Sequence, residues 1–395
     1  MLRNAAGQKP SRWPGSGFAW LAVCVFVVSS CRLFNPGDKQ ATIVWSVAET
    51  NASTQQPYAD NDLVVFTLLD RRVIGLRARD GSRLWTTQLP AGQPSGVFGA
   101  LPDKGTIVRW GDAVLVAGWH VYALDRTTGS IRWTFAPDDD FSATSALALA
   151  GSAVISAGGI NGYLYSVDAA SGALRWRVDL DEQLFSPVVV DGVIYVGGRR
   201  VVDEHGGLGV GHLWAVDSET GAVRWSVWVG DPSLTFVGGA VGRAAVAGDL
   251  VLTAGVTGTV IAVDRATGQT RWQKSFGEEG HSAGVVILDS IAIVASWSGR
   301  VRGLDLTSGL VRWEAEVGST VTWSATSGGG MAFLNPGVLY AYTADGSRVW
   351  EYGGRREALY FSTPATYHDG LLYVAANNAL AGASGGGLFA LRSPD

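Results

Sequence analysis

The amino-acid sequence predicts an all-β protein, an eight-bladed β-propeller whose blades are four-stranded antiparallel sheets. Three observations predict it: a motif that recurs seven times, a pair of alternating apolar strands before each copy, and one further tryptophan near the N-terminus. The motif consists of a small residue, a turn that ends in glycine, and a tryptophan four residues later. Successive copies lie about 37 to 49 residues apart, which is the length of one propeller blade.

Each motif position has a structural role. We expect each glycine to take the positive φ that closes the turn, and each aspartate to accept hydrogen bonds from it. The small residue leaves room for a large neighbour, which we expect to be a tryptophan of the adjacent blade. Each indole buries about 150–250 Å², which at about 25 cal/mol per Å² stabilises a blade joint by several kcal/mol. The predicted structural residues are the tryptophans Trp85, Trp133, Trp176, Trp225, Trp272, Trp313 and Trp350, the glycines Gly81, Gly129, Gly172, Gly221, Gly268, Gly309 and Gly346, and the aspartates Asp125, Asp168, Asp217, Asp264 and Asp305.

The two ends of the repeat region complete each other. Residues 361–392 supply three further strands but end without a turn or a tryptophan. The missing fourth strand is predicted at residues 42–46, with Trp45 as the eighth stacking tryptophan. Pairing of this strand with the C-terminal strands closes the ring and removes its open edges. The propeller is therefore predicted to occupy residues 43–395.

The first thirty residues are predicted to be a lipoprotein signal peptide. A basic start is followed by an apolar run, residues 18–28, that is too short to span a bilayer comfortably. Val28-Ser29-Ser30-Cys31 matches a lipobox, so we expect cleavage before Cys31 and lipidation of that residue. Residues 31–42 then form a polar tether. An ordinary signal peptide with a chance cysteine, and an uncleaved anchor, are the alternatives.

Composition excludes several classes of function. Cys24 leaves with the signal peptide and Cys31 carries lipid, so the mature chain is predicted to have no free thiol and no disulfide. The mature chain retains 27 basic against 35 acidic residues, which disfavours nucleic acid as a partner and leaves membrane contact to the acyl chains. Arg32 follows the lipidated cysteine. We therefore expect an extracytoplasmic, lipid-anchored protein, on the outer membrane of a Gram-negative host or otherwise on the outer face of the cytoplasmic membrane.

The pattern A-x-D-x-x-T-G-x-x-x-W, complete at residues 123–133 and 262–272, resembles the quinoprotein (PQQ-type) propeller repeat. Arg77 and Thr343 depart from it at the aspartate position. The resemblance implies two classes of function. One comprises dehydrogenases that bind PQQ and Ca²⁺ on the propeller axis and typically use a catalytic aspartate. This chain lacks their length and their vicinal cysteine pair, so no catalytic residue and no cofactor are predicted.

The other class comprises non-catalytic lipoproteins of the BamB family, which act in outer-membrane protein assembly. The lipobox, the tether, the blade count and the size are similar to this class. We therefore predict a monomeric scaffold that binds a membrane or envelope protein. A generic extracytoplasmic binding propeller is the alternative.

Two loops contain candidate metal ligands. Residues 199–212 hold His205 and His212 with Asp203 and Glu204, but a solvated loop is the favoured interpretation. The run at residues 138–140 consists of three adjacent aspartates and lacks the alternating spacing of a calcium loop. No metal site is predicted.

Loop aromatic residues are the candidates for partner binding. The loop at residues 86–105 is long and holds Phe98 among glycine and proline, so it is the predicted interaction element. Exposed tryptophans are further candidates, although most are expected to lie in the core. The tryptophans outside the stacking column are Trp110, Trp119, Trp214, Trp228, Trp297 and Trp323.

Overall fold

A computed structural model describes residues 40–49, 55–90, 106–137, 144–158, 162–199, 211–230, 242–255, 257–277, 280, 284–317, 325–354, 360–376 and 386–394. The chain divides into a compact unit, Lys39–Asp395, and a preceding segment, Met1–Asp38, that lies outside the described residues. Cys31, most of the predicted tether, and Phe98 are likewise outside them. Within the described ranges, no helix is long and apolar enough to cross a membrane.

The described residues form eight antiparallel sheets that follow one another along the chain. The strands of blades 1 to 4 are β2 (Tyr58–Ala59), β3 (Leu63–Thr67), β4 (Arg72–Arg77) and β5 (Arg83–Gln88); β6 (Val108–Trp110), β7 (Ala113–Ala117), β8 (Val121–Asp125) and β9 (Ile131–Phe135); β10 (Thr144–Ala150), β11 (Ala153–Gly158), β12 (Tyr163–Asp168) and β13 (Leu174–Asp179); and β14 (Gln183–Leu184), β15 (Val188–Val190), β16 (Val193–Arg199), β17 (His212–Asp217) and β18 (Val223–Trp228). In blade 4, β14 and β15 both pair with β16.

The second half of the ring repeats the arrangement. Its strands are β19 (Ala245–Ala247), β20 (Leu250–Ala254), β21 (Thr259–Asp264) and β22 (Thr270–Ser275) in blade 5; β23 (Val285–Leu288), β24 (Ile291–Ala295), β25 (Arg300–Asp305) and β26 (Val311–Glu316) in blade 6; β27 (Thr326–Gly328), β28 (Met331–Leu334), β29 (Leu339–Tyr342) and β30 (Arg348–Tyr352) in blade 7; and β31 (Thr366–His368), β32 (Leu371–Ala376), β33 (Gly387–Arg392) and β1 (Thr42–Ala48) in blade 8. The predicted eight-bladed propeller is confirmed.

The ring closes as the sequence predicts. Strand β1 pairs antiparallel with β33, and Trp45 lies opposite Ala390. The innermost strands add a second closure, because the Thr366 hydroxyl of blade 8 donates to the carbonyl oxygen of Pro57 before blade 1. The Gln56 side chain also donates to the carbonyl oxygen of Ala365, at 2.9 Å. Segments from the N-terminal and C-terminal parts of the propeller therefore both stabilise the joint between blades 8 and 1.

The hydrophobic core is divided among the blade joints. The two middle strands of each blade are almost wholly buried, because neighbouring blades cover both of their faces. The outer strands instead alternate between exposed and partly buried residues. Eight buried clusters of described residues result, and each joins two adjacent blades. Each joint therefore buries its own apolar surface, in the manner of repeat proteins.

Candidate functional site

Antiparallel order sorts the connections between strands onto two ends of the ring. Turns from the first to the second strand of a blade, and from the third to the fourth, lie at one end, which we call the tight-turn face. Connections from the second to the third strand, and from one blade to the next, lie at the other end, which we call the long-loop face. This segregation follows from strand direction alone.

The tight-turn face is built from short hairpins. In blade 4, β15 ends at Val190 and β16 begins at Val193, so two residues form the turn. Asp191 and Gly192 both have positive φ, 48° and 74°, as a two-residue hairpin requires. The side chains of this surface are those of the short turns, Leu310 and Arg79 among them.

The long-loop face contains the longest connections of the ring, which are long enough to carry binding residues. From β5 to β6 the chain passes from Gln88 to Val108, and from β18 to β19 it passes from Trp228 to Ala245. The predicted interaction residue Phe98 and the aspartates 138–140 belong to such connections but lie outside the described residues, as do His205 and Trp323. Among the described residues of this face, Trp297, between β24 and β25, is 40% exposed. The remaining tryptophans outside the column, at positions 110, 119, 214 and 228, are partly buried.

The repeat tryptophans lie at the blade joints. Seven of the eight indoles, all but that of Trp350, pack on the turn glycine of the next blade, and a Cβ added to Gly172, for example, would lie 2.7 Å from Cε3 of Trp133. Each Nε1–H also donates across the joint, at 2.8–3.2 Å. The donor and acceptor pairs are Trp45 to Ala78 O, Trp85 to Arg126 O, Trp133 to Ala169 O, Trp176 to Ser218 O, Trp225 to Arg265 O, Trp272 to Leu306 O, Trp313 to Ala344 O and Trp350 to Ser393 Oγ.

The expectation for the small residue was wrong in one respect. It faces the tryptophan of its own blade, not that of the adjacent blade. Strand register pairs Ala215 with Trp225, and a Cβ on Gly75 would lie 2.2 Å from Cε2 of Trp85. The small residue therefore lets the indole lie flat across its own sheet, while the turn glycine provides the contact to the next blade.

The turn aspartates have a second partner that the sequence reasoning missed. Oδ1 of Asp217 accepts from the backbone N–H of Thr220 at 2.9 Å, while Oδ2 lies 2.6 Å from Nη2 of Arg224. Arg224 is the extra residue of a β-bulge, because Trp225 pairs with Ala215 but Val223 pairs with Val216. The guanidinium of Arg224, followed by the Thr220 hydrogen bonds, lowers the pKa of Asp217. The bulge therefore directs the Arg224 side chain toward the turn that follows Asp217.

The same turn–bulge ion pair occurs in five blades, at 2.5–2.7 Å. The pairs are Asp125–Arg132, Asp168–Arg175, Asp217–Arg224, Asp264–Arg271 and Asp305–Arg312. In blades 1, 7 and 8, where the turn aspartate is absent, the bulge residue is Leu84, Val349 or Val44. The turn aspartate and the bulge arginine are therefore lost together. In the sequence, arginine directly precedes the repeat tryptophan only in the copies that carry the aspartate, and this correlation was the signal for the ion pair.

The candidate metal loop contributes one described residue. Nδ1 of His212 lies 2.5 Å from Oε1 of the buried Glu182, and the Trp214 indole donates to Oε2 at 3.0 Å. The side chains of Glu182, His212 and Trp214 therefore satisfy one another at the long-loop end of blade 4. Among the residues that the structure describes, no group of three or more His, Cys, Asp or Glu side chains could hold a metal ion.

A cavity of about 350 Å³ occupies the centre of the ring. Its described lining comes from the innermost segments of six blades and is mainly Val, Leu, Ile, Ala and Pro. Arg243, just before β19, is the one charged residue among these lining residues. Ca²⁺ takes six to eight oxygen ligands, typically with carboxylates among them. The described lining contains no carboxylate, so it does not fit a PQQ–Ca²⁺ pair.

Comparison with known proteins gives the family. The family model described as "Outer membrane protein assembly factor BamB" matches residues 15–118, 117–280 and 256–395. The chain is 26% identical over 245 residues to BamB of Yersinia pestis and 30% identical over 144 residues to the serine/threonine-protein kinase AfsK of Streptomyces griseus. These alignments cover 58% and 35% of this chain. They span only 56% of that BamB and 17% of that kinase.

Solved structures share the fold at low identity. BamB from Moraxella catarrhalis superposes with a TM-score of 0.68 at 19% identity, covering 90% of this chain and 98% of that one. The quinohemoprotein alcohol dehydrogenase ADHIIG from Pseudomonas putida HK5 superposes with a TM-score of 0.69 at 15% identity, covering 90% and 76%. The fold is therefore common to both classes, whereas the family model spans nearly the whole chain. The chain belongs to the family of the outer membrane protein assembly factor BamB.

Proposed function

We propose that this chain is a non-catalytic, lipid-anchored propeller that binds a membrane protein of the cell envelope, as a scaffold in outer-membrane protein assembly. Membership of the BamB family and the similarity to BamB of Yersinia pestis support this role. The observation that carries it is the division of the ring into a tight-turn face and a long-loop face that presents an exposed tryptophan. Binding propellers need such a face and no reacting group.

Two exposed apolar residues of blade 6 provide a matched test of this surface. Trp297 lies on the long-loop face and is 40% exposed, whereas Leu310 lies on the tight-turn face and is 57% exposed. Exposed aromatic residues are frequent binding hot spots. We expect Trp297→Ala to weaken capture of the partner from solubilised native membranes about 30-fold, and Leu310→Ala to leave it unchanged. Equal effects of the two substitutions would contradict the surface assignment.

The predicted loop residue Phe98 enters the same assay. Phe98→Ala is expected to lower capture without changing the melting temperature. Unchanged capture would remove this loop from the proposed surface.

The anchor is proposed at Cys31. Lipid on the N-terminal cysteine would hold the protein on a membrane although no helix among the described residues could cross one. We expect Cys31→Ser to abolish labelling by radioactive palmitate and to release the protein from the membrane fraction. Membrane retention of the unlabelled variant would point instead to an uncleaved N-terminal anchor.

A PQQ-dependent dehydrogenase is the competing function, since the quinohemoprotein fold superposes over 90% of the chain. The described channel lining disfavours it, because it offers no carboxylate for Ca²⁺. Purified protein incubated with PQQ and Ca²⁺ is expected to reduce no dye when primary alcohols or glucose are supplied. Steady turnover under these conditions would replace the scaffold proposal. Capture of a partner outside the assembly machinery would indicate the generic binding propeller.

A further inference from the structure

The polar side chains that line the central cavity are mostly paired with the ring itself. The Thr106 hydroxyl donates to the carbonyl oxygen of Leu147 in blade 3, and the Thr366 hydroxyl donates to Pro57. The Gln56 amide donates to Ala365, and the Tyr58 hydroxyl donates to Asp60. These donors link one blade to another or to its own turn. They therefore leave little hydrogen-bonding capacity for a ligand.

Arg243 differs from these lining residues. Its guanidinium has no hydrogen-bond or ion-pair partner among the described residues, although a guanidinium carries five N–H donors. The side chain is exposed to solvent at the channel, although protein atoms of the ring lie close around it. Partial desolvation by these atoms lowers the pKa of Arg243. A positive charge with unused donors therefore faces a cavity whose exposed lining is polar and apolar in similar measure.

The main chain of Arg243 is held by close contact between two blades. A Cβ added to Gly242 would lie 2.7 Å from Cα of Gly284, and one added to Gly284 would lie 3.1 Å from the backbone nitrogen of Arg243. Only glycine allows this approach. Blades 5 and 6 thus fix the position from which the arginine side chain enters the cavity, near the long-loop face.

We propose that the central channel is a binding site for a small organic carboxylate, with Arg243 as the residue that binds the carboxylate group. The planar guanidinium presents paired N–H donors that match two carboxylate oxygens. The partly exposed valines of the lining and Leu149 then contact an apolar body. A volume of about 350 Å³ is within the range of small-molecule sites. A single cation selects one negative charge, so a monocarboxylate fits better than a polyanion. This site goes beyond the scaffold role and does not depend on it.

The test measures binding of benzoate and phenylacetate to the purified protein by isothermal titration calorimetry. Benzyl alcohol is the uncharged control ligand, and inorganic phosphate is the control for a simple anion site. We expect both carboxylates to bind with 1:1 stoichiometry and at least tenfold more tightly than benzyl alcohol or phosphate. Equal binding of phosphate would overturn the proposal, because it would indicate an inorganic-anion site with no use for the apolar lining.

Two variants locate the site. Arg243→Gln is expected to weaken benzoate binding at least tenfold, and Arg79→Gln, which removes a 73% exposed surface arginine, is expected to have no effect. Equal affinities of the wild type and Arg243→Gln would also overturn the proposal. If Arg243→Gln does not fold, protection of Arg243 from phenylglyoxal by benzoate in the wild type decides the question, and absence of protection refutes it. Partner capture is measured separately, so failure of this site leaves the scaffold proposal standing.

Discussion

The contact between a turn glycine and the preceding tryptophan can be tested by adding one methyl group. Gly172 has a φ of 76°, and an added Cβ would lie 2.7 Å from Cε3 and 2.8 Å from Cδ2 of Trp133. Gly151 provides a matched control, since its φ is 59° and an added Cβ would meet nothing within 4 Å. Gly172→Ala therefore changes both backbone strain and joint packing, whereas Gly151→Ala changes strain alone.

The two substitutions should differ in the free energy of unfolding. An L-residue in the left-handed region costs about 1–2 kcal/mol, which both variants lose. Overpacking against the packed, partly buried ring of Trp133 adds about 1–3 kcal/mol, so Gly172→Ala should lose about 2–5 kcal/mol in total. Guanidinium unfolding followed by circular dichroism measures the difference as a shift in midpoint. Equal losses in the two variants would refute the stacking role of the turn glycine.

The remaining predictions concern a repeat tryptophan, a turn–bulge ion pair and the partly buried carboxylate of Asp60. Trp225→Ala should destabilise by about 3–5 kcal/mol in the same unfolding experiment and Trp225→Phe by less, because phenylalanine keeps most of the packing; a loss below about 1 kcal/mol for the alanine variant would contradict the joint role. A double-mutant cycle of Asp217→Ala and Arg224→Ala should show favourable coupling that falls in high salt, and zero coupling would mean that the turn–bulge ion pair adds nothing. Asp60 is partly desolvated, which raises its pKa, but hydrogen bonds from Arg126 at 2.8 and 2.9 Å and from backbone amides dominate and lower it to about 2. Asp60→Asn should therefore cost about 1 kcal/mol at pH 7, after allowance for solvent screening, and this gap should disappear as pH falls from about 4 towards 2; a gap independent of pH would exclude the charge as its cause.

Most of the fold could be predicted because the residues of the motif determine the local geometry of each blade. Glycine four residues before tryptophan defines a turn and a joint, and the spacing of the copies defines a blade. Trp45 completed the count because a ring needs a partner for the unpaired strand β33. These inferences need only local chemistry and the requirement that sheet edges be covered.

The partner of the small residue and the role of the bulge arginine could not be predicted in the same way. Both depend on strand register, and a one-residue shift changes which side chains meet. The bulge at Arg224 interrupts the alternation from which register is inferred, so Asp217 appeared to serve only its turn. A five-blade correlation between aspartate and arginine was the available signal.

The proposed channel site was even harder to predict from the sequence. Arg243 precedes β19, a strand of three residues, and nothing in its immediate sequence marks it as a lining residue. Its position on the axis follows only from closure of all eight blades. The proposed functions therefore rest on residues outside the repeat, and the repeat determines where those residues lie.

Site-specific photocrosslinking in native membranes tests the central claim most directly. A photoreactive amino acid is placed at position 297 on the long-loop face, and in a separate variant at position 310 on the tight-turn face. The scaffold account predicts that position 297 crosslinks to a membrane protein of the outer-membrane assembly machinery and that position 310 does not. Crosslinking from position 310 alone, or from neither position in cells that contain the machinery, would contradict it.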